Sequence, residues 1–101
     1  MRNTVKFREE LSEAKEFDND IDLSYPGFER KFRKKYDDLL SDLEIQICKM
    51  ILYGMSTQEI ADLRVKSSDT IRKHRNNIRE KMKLTGERKN LRKFLRRIWQ
   101  S

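Results

Sequence analysis

Residues 56–82 read Ser-Thr-Gln-Glu-Ile-Ala-Asp-Leu-Arg-Val-Lys-Ser-Ser-Asp-Thr-Ile-Arg-Lys-His-Arg-Asn-Asn-Ile-Arg-Glu-Lys-Met, and this stretch decides the fold. Ser56 precedes Glu59 by three positions, so side chain and backbone can satisfy each other's orphan donors at the start of a helix whose buried face is Ile60, Ala61 and Leu63. Ser67 offers a second N-cap. Ile71, His74, Ile78 and Met82 then recur at spacings of three and four and gather on one side of a longer helix. Two short helices joined by a tight connection make a helix-turn-helix. At about 100° per residue, Arg72, Lys73 and Asn76 share one sector on the opposite side, Arg79 and Lys83 continue it, and Arg75 lies at its flank. A helix with this outer face belongs against a polyanion.

Charge supports that reading. The chain has 101 residues and a net charge of +7, but the excess is local. Residues 1–40 carry nine Lys/Arg against ten Asp/Glu, net −1, whereas residues 64–101 carry fourteen against three, net +11. A basic third built around a helix pair is the electrostatic footprint of a nucleic-acid binder.

Composition sets the class. The length suits one domain, 36% hydrophobic residues support a modest core, and few glycines and prolines with no sustained alternation of apolar and polar residues predict an all-α chain. The longest apolar run, 50–53, is too short to span a bilayer, and no signal-peptide core is present, so a cytoplasmic protein without membrane partners is expected. The single cysteine, Cys48, and single histidine, His74, predict no disulfide and no metal site, and no cofactor is expected. His74 lies near the buried face with no acid or nucleophile constellation around it, so neither an enzyme nor a small-molecule substrate is predicted. Cys48 reads as a small core hydrophobe.

The remaining segments follow in order. Residues 4–17 carry a thin apolar stripe of Phe7, Leu11 and Ala14 and are expected to be helical. Asp18 to Ser24, with three aspartates, is expected to be a loop. Pro26 suits a first helical position, followed by Phe28, Phe32, Tyr36 and Leu39 as a docking face. Ser41 and Glu44 form another capping box before Ile45, Cys48, Met50, Ile51 and Leu52, an almost wholly apolar core helix that stops at Gly54. After a break at Thr85 and Gly86, Leu91, Phe94, Leu95, Ile98 and Trp99 form an apolar stripe, with Arg92, Lys93, Arg96 and Arg97 facing away. Part of that stripe is expected to serve as a dimer seam.

Between Leu40 and Leu84 four submotifs occur in sequence: Leu-Ser-x-x-Glu (40–44), Gly-x-Ser-x-x-Glu-Ile-Ala (54–61), Ser-x-x-Thr-Ile (67–71) and His-x-x-Asn-Ile-x-x-Lys-Met (74–82). Their order and spacing resemble the LuxR-type (GerE-like) helix-turn-helix domain of bacterial transcriptional regulators. The resemblance covers about 45 residues closely and about 60 with the final helix. It implies a four-helix DNA-binding domain at 25–101, leader helix included, after an N-terminal helix and acidic loop at 1–24. It implies a recognition helix at about 68–82 in the major groove of double-stranded DNA, with the fourth helix pairing two protomers as a homodimer. The family's base-contacting positions fall on Arg72, Lys73 and Asn76, and its phosphate-contacting positions on Ser56, Thr57 and Thr70. Arg75 and Arg79 are expected to add backbone contacts. Asn77, at a position where the family usually has its counterpart, reads as structural.

The connection departs from the family, with Arg64 and Lys66 around Val65 where apolar residues are usual. Either the turn repacks around Leu63 and Val65, or the two cations reach the DNA backbone. A receiver or ligand-sensing domain does not fit in residues 1–40. Two other function classes compete with the regulator: a sigma-like, RNA-polymerase-associated helix-turn-helix, and a basic surface binder in which residues 89–99 lie on membrane or protein.

Overall fold

The computed structural model describes residues 19–84 and 91–101. The helix expected at 4–17 and the break at Thr85 and Gly86 lie outside them. The described chain is helical, without strands: α1 (Phe28–Tyr36), α2 (Asp42–Tyr53), α3 (Thr57–Arg64), α4 (Ser68–Lys81) and α5 (Leu91–Gln100), with residues 19–24 also helical. α2 is the central element. α1, α4 and α5 pack on it, α5 also packs on α1, and α3 packs on α4.

The starts of α2, α3 and α4 follow from their serines. Ser41 accepts from the Glu44 N–H while Glu44 accepts from the Ser41 N–H, and Ser56 and Glu59 repeat the arrangement. Ser67 accepts from the Thr70 N–H. All three helices end alike. A residue in the left-handed region, Gly54, Val65 or Lys83, lets two successive N–H groups reach back to the last carbonyls, as with Met55 to Met50 and Gly54 to Ile51. Gly54 needs its missing Cβ twice over. Its φ is +103°, and a Cβ there would meet the Arg92 guanidinium at 2.9 Å, where Arg92 donates to the Leu52 carbonyl.

Ile45, Ile47, Cys48, Met50, Ile51 and Leu52 of α2 are buried and form the middle of the core. Burial pushes the Cys48 thiol up to about 12, with the nearby Glu44 adding to the shift and Arg75 opposing it, so the thiol is inert packing material.

Three expectations are corrected. Residues 19–24 are helical rather than a loop, because Ile21 enters the core and Asp22 meets Lys49. Pro26 is not the first helical residue. It occupies the second position of a turn closed by the Phe28 N–H on the Tyr25 carbonyl, and Gly27, at φ 79° and ψ −1°, takes the third, the geometry of a type II turn. Of the aromatic face, Phe28 and Phe32 are buried and Tyr36 is half-buried, but Leu39 is exposed and Leu40 is buried instead. The α5 stripe packs mainly within the chain. Leu91, Leu95 and Ile98 are buried in the chain's own core, while Phe94 and Trp99 are half-buried against it. The Trp99 indole also donates to the Pro26 carbonyl at 3.0 Å.

Lys49 is the one cation of the core helix, with 2% of its surface exposed. Burial alone would lower its pKa. Glu29 at 2.6 Å and Asp22 at 3.3 Å outweigh that and raise it, so the ammonium stays charged and fastens residues 19–24 and α1 to α2.

Candidate nucleic-acid interface

The two helices of the expected motif are held together by polar as well as apolar contacts. Ile60 and Ala61 of α3 meet Ile71 and Ile78 of α4 in one core. Ser68, the first residue of α4, donates to the Gln58 carbonyl oxygen at 2.6 Å, and the Gln58 amide donates to Asp62 at 2.8 Å. This chain runs from the start of α4 along α3 and fixes the two axes relative to each other.

α4 is two-faced. Ile71, Ile78 and its C-cap Met82 are buried, and His74 is half-buried beside them. Arg72, Lys73 and Asn76 are exposed together on the other side, as the periodicity predicts. Asn77, expected to be structural, is exposed as well. Two i,i+3 contacts organise this surface. Arg72 Nη1 lies 3.3 Å from Asp69 Oδ1, and Arg79 Nη1 donates to Asn76 Oδ1 at 3.0 Å.

Around that face stand the residues expected to touch the DNA backbone. Ser56 and Lys66 are exposed, and Thr57, Arg64, Thr70, Arg75 and Arg79 are half-buried. Ser56 uses an oxygen lone pair as N-cap, so its hydroxyl proton stays available for a phosphate. The Thr70 hydroxyl is paired with that of Ser67 at 2.8 Å. Arg75 is drawn toward α2: burial lowers its pKa, Arg79 adds like-charge repulsion, and the Cys48 neighbourhood opposes both. The Nε atoms of Arg64 and Arg79 are buried without a hydrogen-bond partner among the described residues.

The α3–α4 connection is not repacked around Val65. Val65 is 69% exposed in a left-handed conformation, Leu63 is half-buried against the core, and Lys66 is exposed beside Ser67. Of the apolar residues of α5, Leu91, Leu95 and Ile98 are internal and Phe94 and Trp99 are half-buried. Among the described residues no helix is long and apolar enough to cross a membrane, and no group of side chains could hold a metal ion.

Sequence reasoning missed the Asp69–Arg72 and Asn76–Arg79 contacts. The signal was present, since both pairs are three residues apart on one helix face.

Comparison with protein families matches residues 38–93 to the model for bacterial regulatory proteins of the luxR family, GerE. No curated protein and no solved structure gave a match.

Proposed function

Because the chain belongs to the luxR family of bacterial regulatory proteins, a family of DNA-binding transcription regulators, we propose that it binds double-stranded DNA sequence-specifically with α4 in the major groove. One observation carries this reading. α4 buries Ile71, Ile78 and Met82 and leaves Arg72, Lys73 and Asn76 exposed on the opposite face, near the end of the helix that docking pushes deepest into the groove.

The chemistry of these three side chains suits base edges. The Arg72 guanidinium can fork onto guanine O6 and N7, and the Asn76 amide can pair with adenine N6 and N7, while Lys73 serves guanine or a phosphate. Ser56, Thr57, Arg64, Lys66, Thr70, Arg75 and Arg79 supply the surrounding polar and cationic groups for the phosphates.

Two protomers would occupy successive major grooves about 34 Å apart, as helix-turn-helix pairs do. The outward side of α5 carries the exposed Arg92, Lys93, Arg96 and Arg97, so like charge opposes pairing through this helix in free solution. DNA removes that penalty, and the pair therefore forms on the duplex. Selection of bound duplexes from a random pool tests the reading. A sequence with two-fold symmetric half-sites is the expected product, and retention of all sequences alike would overturn it.

A further inference from the structure

Arg79 is expected above to be one of several phosphate contacts, yet its surroundings differ from those of a free surface cation. It is half-buried, its Nε is covered, and Arg75 repels it from the core side. Its Nη1 instead donates to Asn76 Oδ1 at 3.0 Å. A guanidinium has only donors, so this contact settles which end of the Asn76 amide is oxygen and which is nitrogen.

We propose that Arg79 is a positioning residue for base readout, holding the exposed Asn76 amide in one of its two orientations. The inference rests on the reading of α4 as the recognition helix. An unrestrained amide can turn over and present its oxygen and nitrogen in either order, so it discriminates poorly between a base edge and its reverse. Pinned by Arg79, the Asn76 oxygen keeps its second lone pair for an adenine N6–H, and the amide nitrogen keeps its protons for adenine N7. Arg79 thus contributes to specificity at a base pair it does not touch.

The test compares the intact chain with Asn76→Ala, Arg79→Ala and Arg79→Gln on the selected duplex and on versions of it altered one base pair at a time. Asn76→Ala locates the base pair that Asn76 reads. Arg79→Ala is expected to lose about tenfold in discrimination at that same base pair, within the range one bidentate pair supplies. The double variant is expected to lose no more discrimination there than either single one. Arg79→Gln keeps an N–H donor for Asn76 Oδ1 without the charge. It is expected to restore the base preference while the log–log salt slope stays shallower by about one. Equal weakening of Arg79→Ala on every duplex, additive with Asn76→Ala, would overturn the proposal and leave Arg79 as a phosphate contact only. If Asn76→Ala changes preference at no base pair, the assignment of Asn76 as a reader fails first and the role of Arg79 falls with it. Circular dichroism of each variant separates these outcomes from loss of fold.

Discussion

The ammonium of Lys81, in the last turn of α4, lies 2.7 Å from Oε1 of Glu44, the carboxylate that closes the capping box of α2. One oxygen therefore serves two elements, ending the proposed recognition helix and starting the helix that forms the core. Burial alone would raise the Glu44 pKa. Lys81, together with the Ser41 N–H and hydroxyl, reverses this and leaves it below the ordinary carboxylate range.

The lowered value gives a pH dependence with a definite sign. A carboxylate whose folded pKa is depressed contributes stability above its unfolded value of about 4.3, and that stability is lost as pH falls through the folded value. Glu29, lowered chiefly by its hydrogen bond from Lys49, and Glu59, lowered by the Ser56 N–H and hydroxyl, act in the same direction. Glutamine can replace glutamate in a capping box, so Glu44→Gln isolates the charge. Because Lys81 is partly solvated, the expected cost at pH 7 is only about 1 kcal/mol. The difference from the parent should be smaller at acid pH than at pH 7, narrowing as pH falls below the unfolded value of about 4.3. Urea denaturation of both proteins at the two pH values measures it, and an undiminished gap at low pH would mean that the loss is steric.

Val65 adopts φ 54° and ψ 49° with its side chain 69% exposed, a conformation that a β-branched residue reaches only under strain. The side chain takes no part in the described core that could offset this. Val65→Gly removes the strain, of order 1–3 kcal/mol, and adds unfolded-chain entropy of about 0.4–1 kcal/mol. A net gain of about 1 kcal/mol is expected, raising the midpoint of thermal unfolding by about 4–8 °C. Should the midpoint fall, the turn is held by a Val65 contact that the geometry does not contain.

The parts of this molecule legible in its sequence are those set by neighbours along the chain. Ser41 with Glu44, Ser56 with Glu59, and Ser67 each act within one helical turn, and the outer face of α4 follows from its period alone. Lys49 could not be assigned in that way. It sits in an apolar run, and its partners Asp22 and Glu29 are brought to it only when two other segments fold over α2. The same blindness turned the aspartates of residues 18–24 into a loop. Leu91, Leu95 and Ile98 show the converse limit, because an amphipathic stripe announces burial without saying whether the covering surface belongs to the same chain. Here it does, through α1 and α2. Among the residues proposed for readout, exposure of Arg72, Lys73 and Asn76 was legible, whereas the coupling of Arg72 to Asp69 and of Asn76 to Arg79 was within reach of helical spacing but not read from it.

Trp99 closes the molecule internally. Its ring meets Tyr25 edge-on with centroids 5.0 Å apart, and its indole N–H is bonded to Pro26. Trp99→Ala is therefore expected to cost about 2 kcal/mol of stability, below the range for a fully buried tryptophan because this one is half-exposed. Binding of the folded fraction to a half-site and to a paired site should weaken alike. Selective loss of cooperativity at unchanged stability would restore the dimer seam.

Electrostatics make the next prediction. Arg64, Lys66, Arg72, Lys73, Arg75 and Arg79 surround one helix pair, and the log–log dependence of DNA affinity on salt is expected to have a slope on the order of −4 to −8 per pair of protomers. Arg64→Ala and Lys66→Ala should each lower affinity for all duplexes equally and make the slope shallower. A changed base preference in either variant would move that cation from the backbone to the bases.

The last prediction concerns Arg72. In the free protein its guanidinium rests against Asp69, but both side chains are exposed, at 68% and 83%, so the pair is weak and easily exchanged for a base. Asp69 is expected to act through its charge, because a carboxylate beside Arg72 disfavours a nearby phosphate. Arg72→Ala is expected to cost about 1–3 kcal/mol on the selected duplex and to relax preference at one base pair per half-site. Fold should be unaffected, since the side chain points away from Ile71 and Ile78 and leaves no cavity. Asp69→Ala should keep most of the affinity on the selected duplex and strengthen binding to unrelated sequences, because a carboxylate that repels phosphates has been removed. Titration of both variants against the altered duplexes decides the matter. If Arg72→Ala weakens every duplex to the same degree, Arg72 grips the backbone, and the reading of this face rests on Lys73 and Asn76 alone.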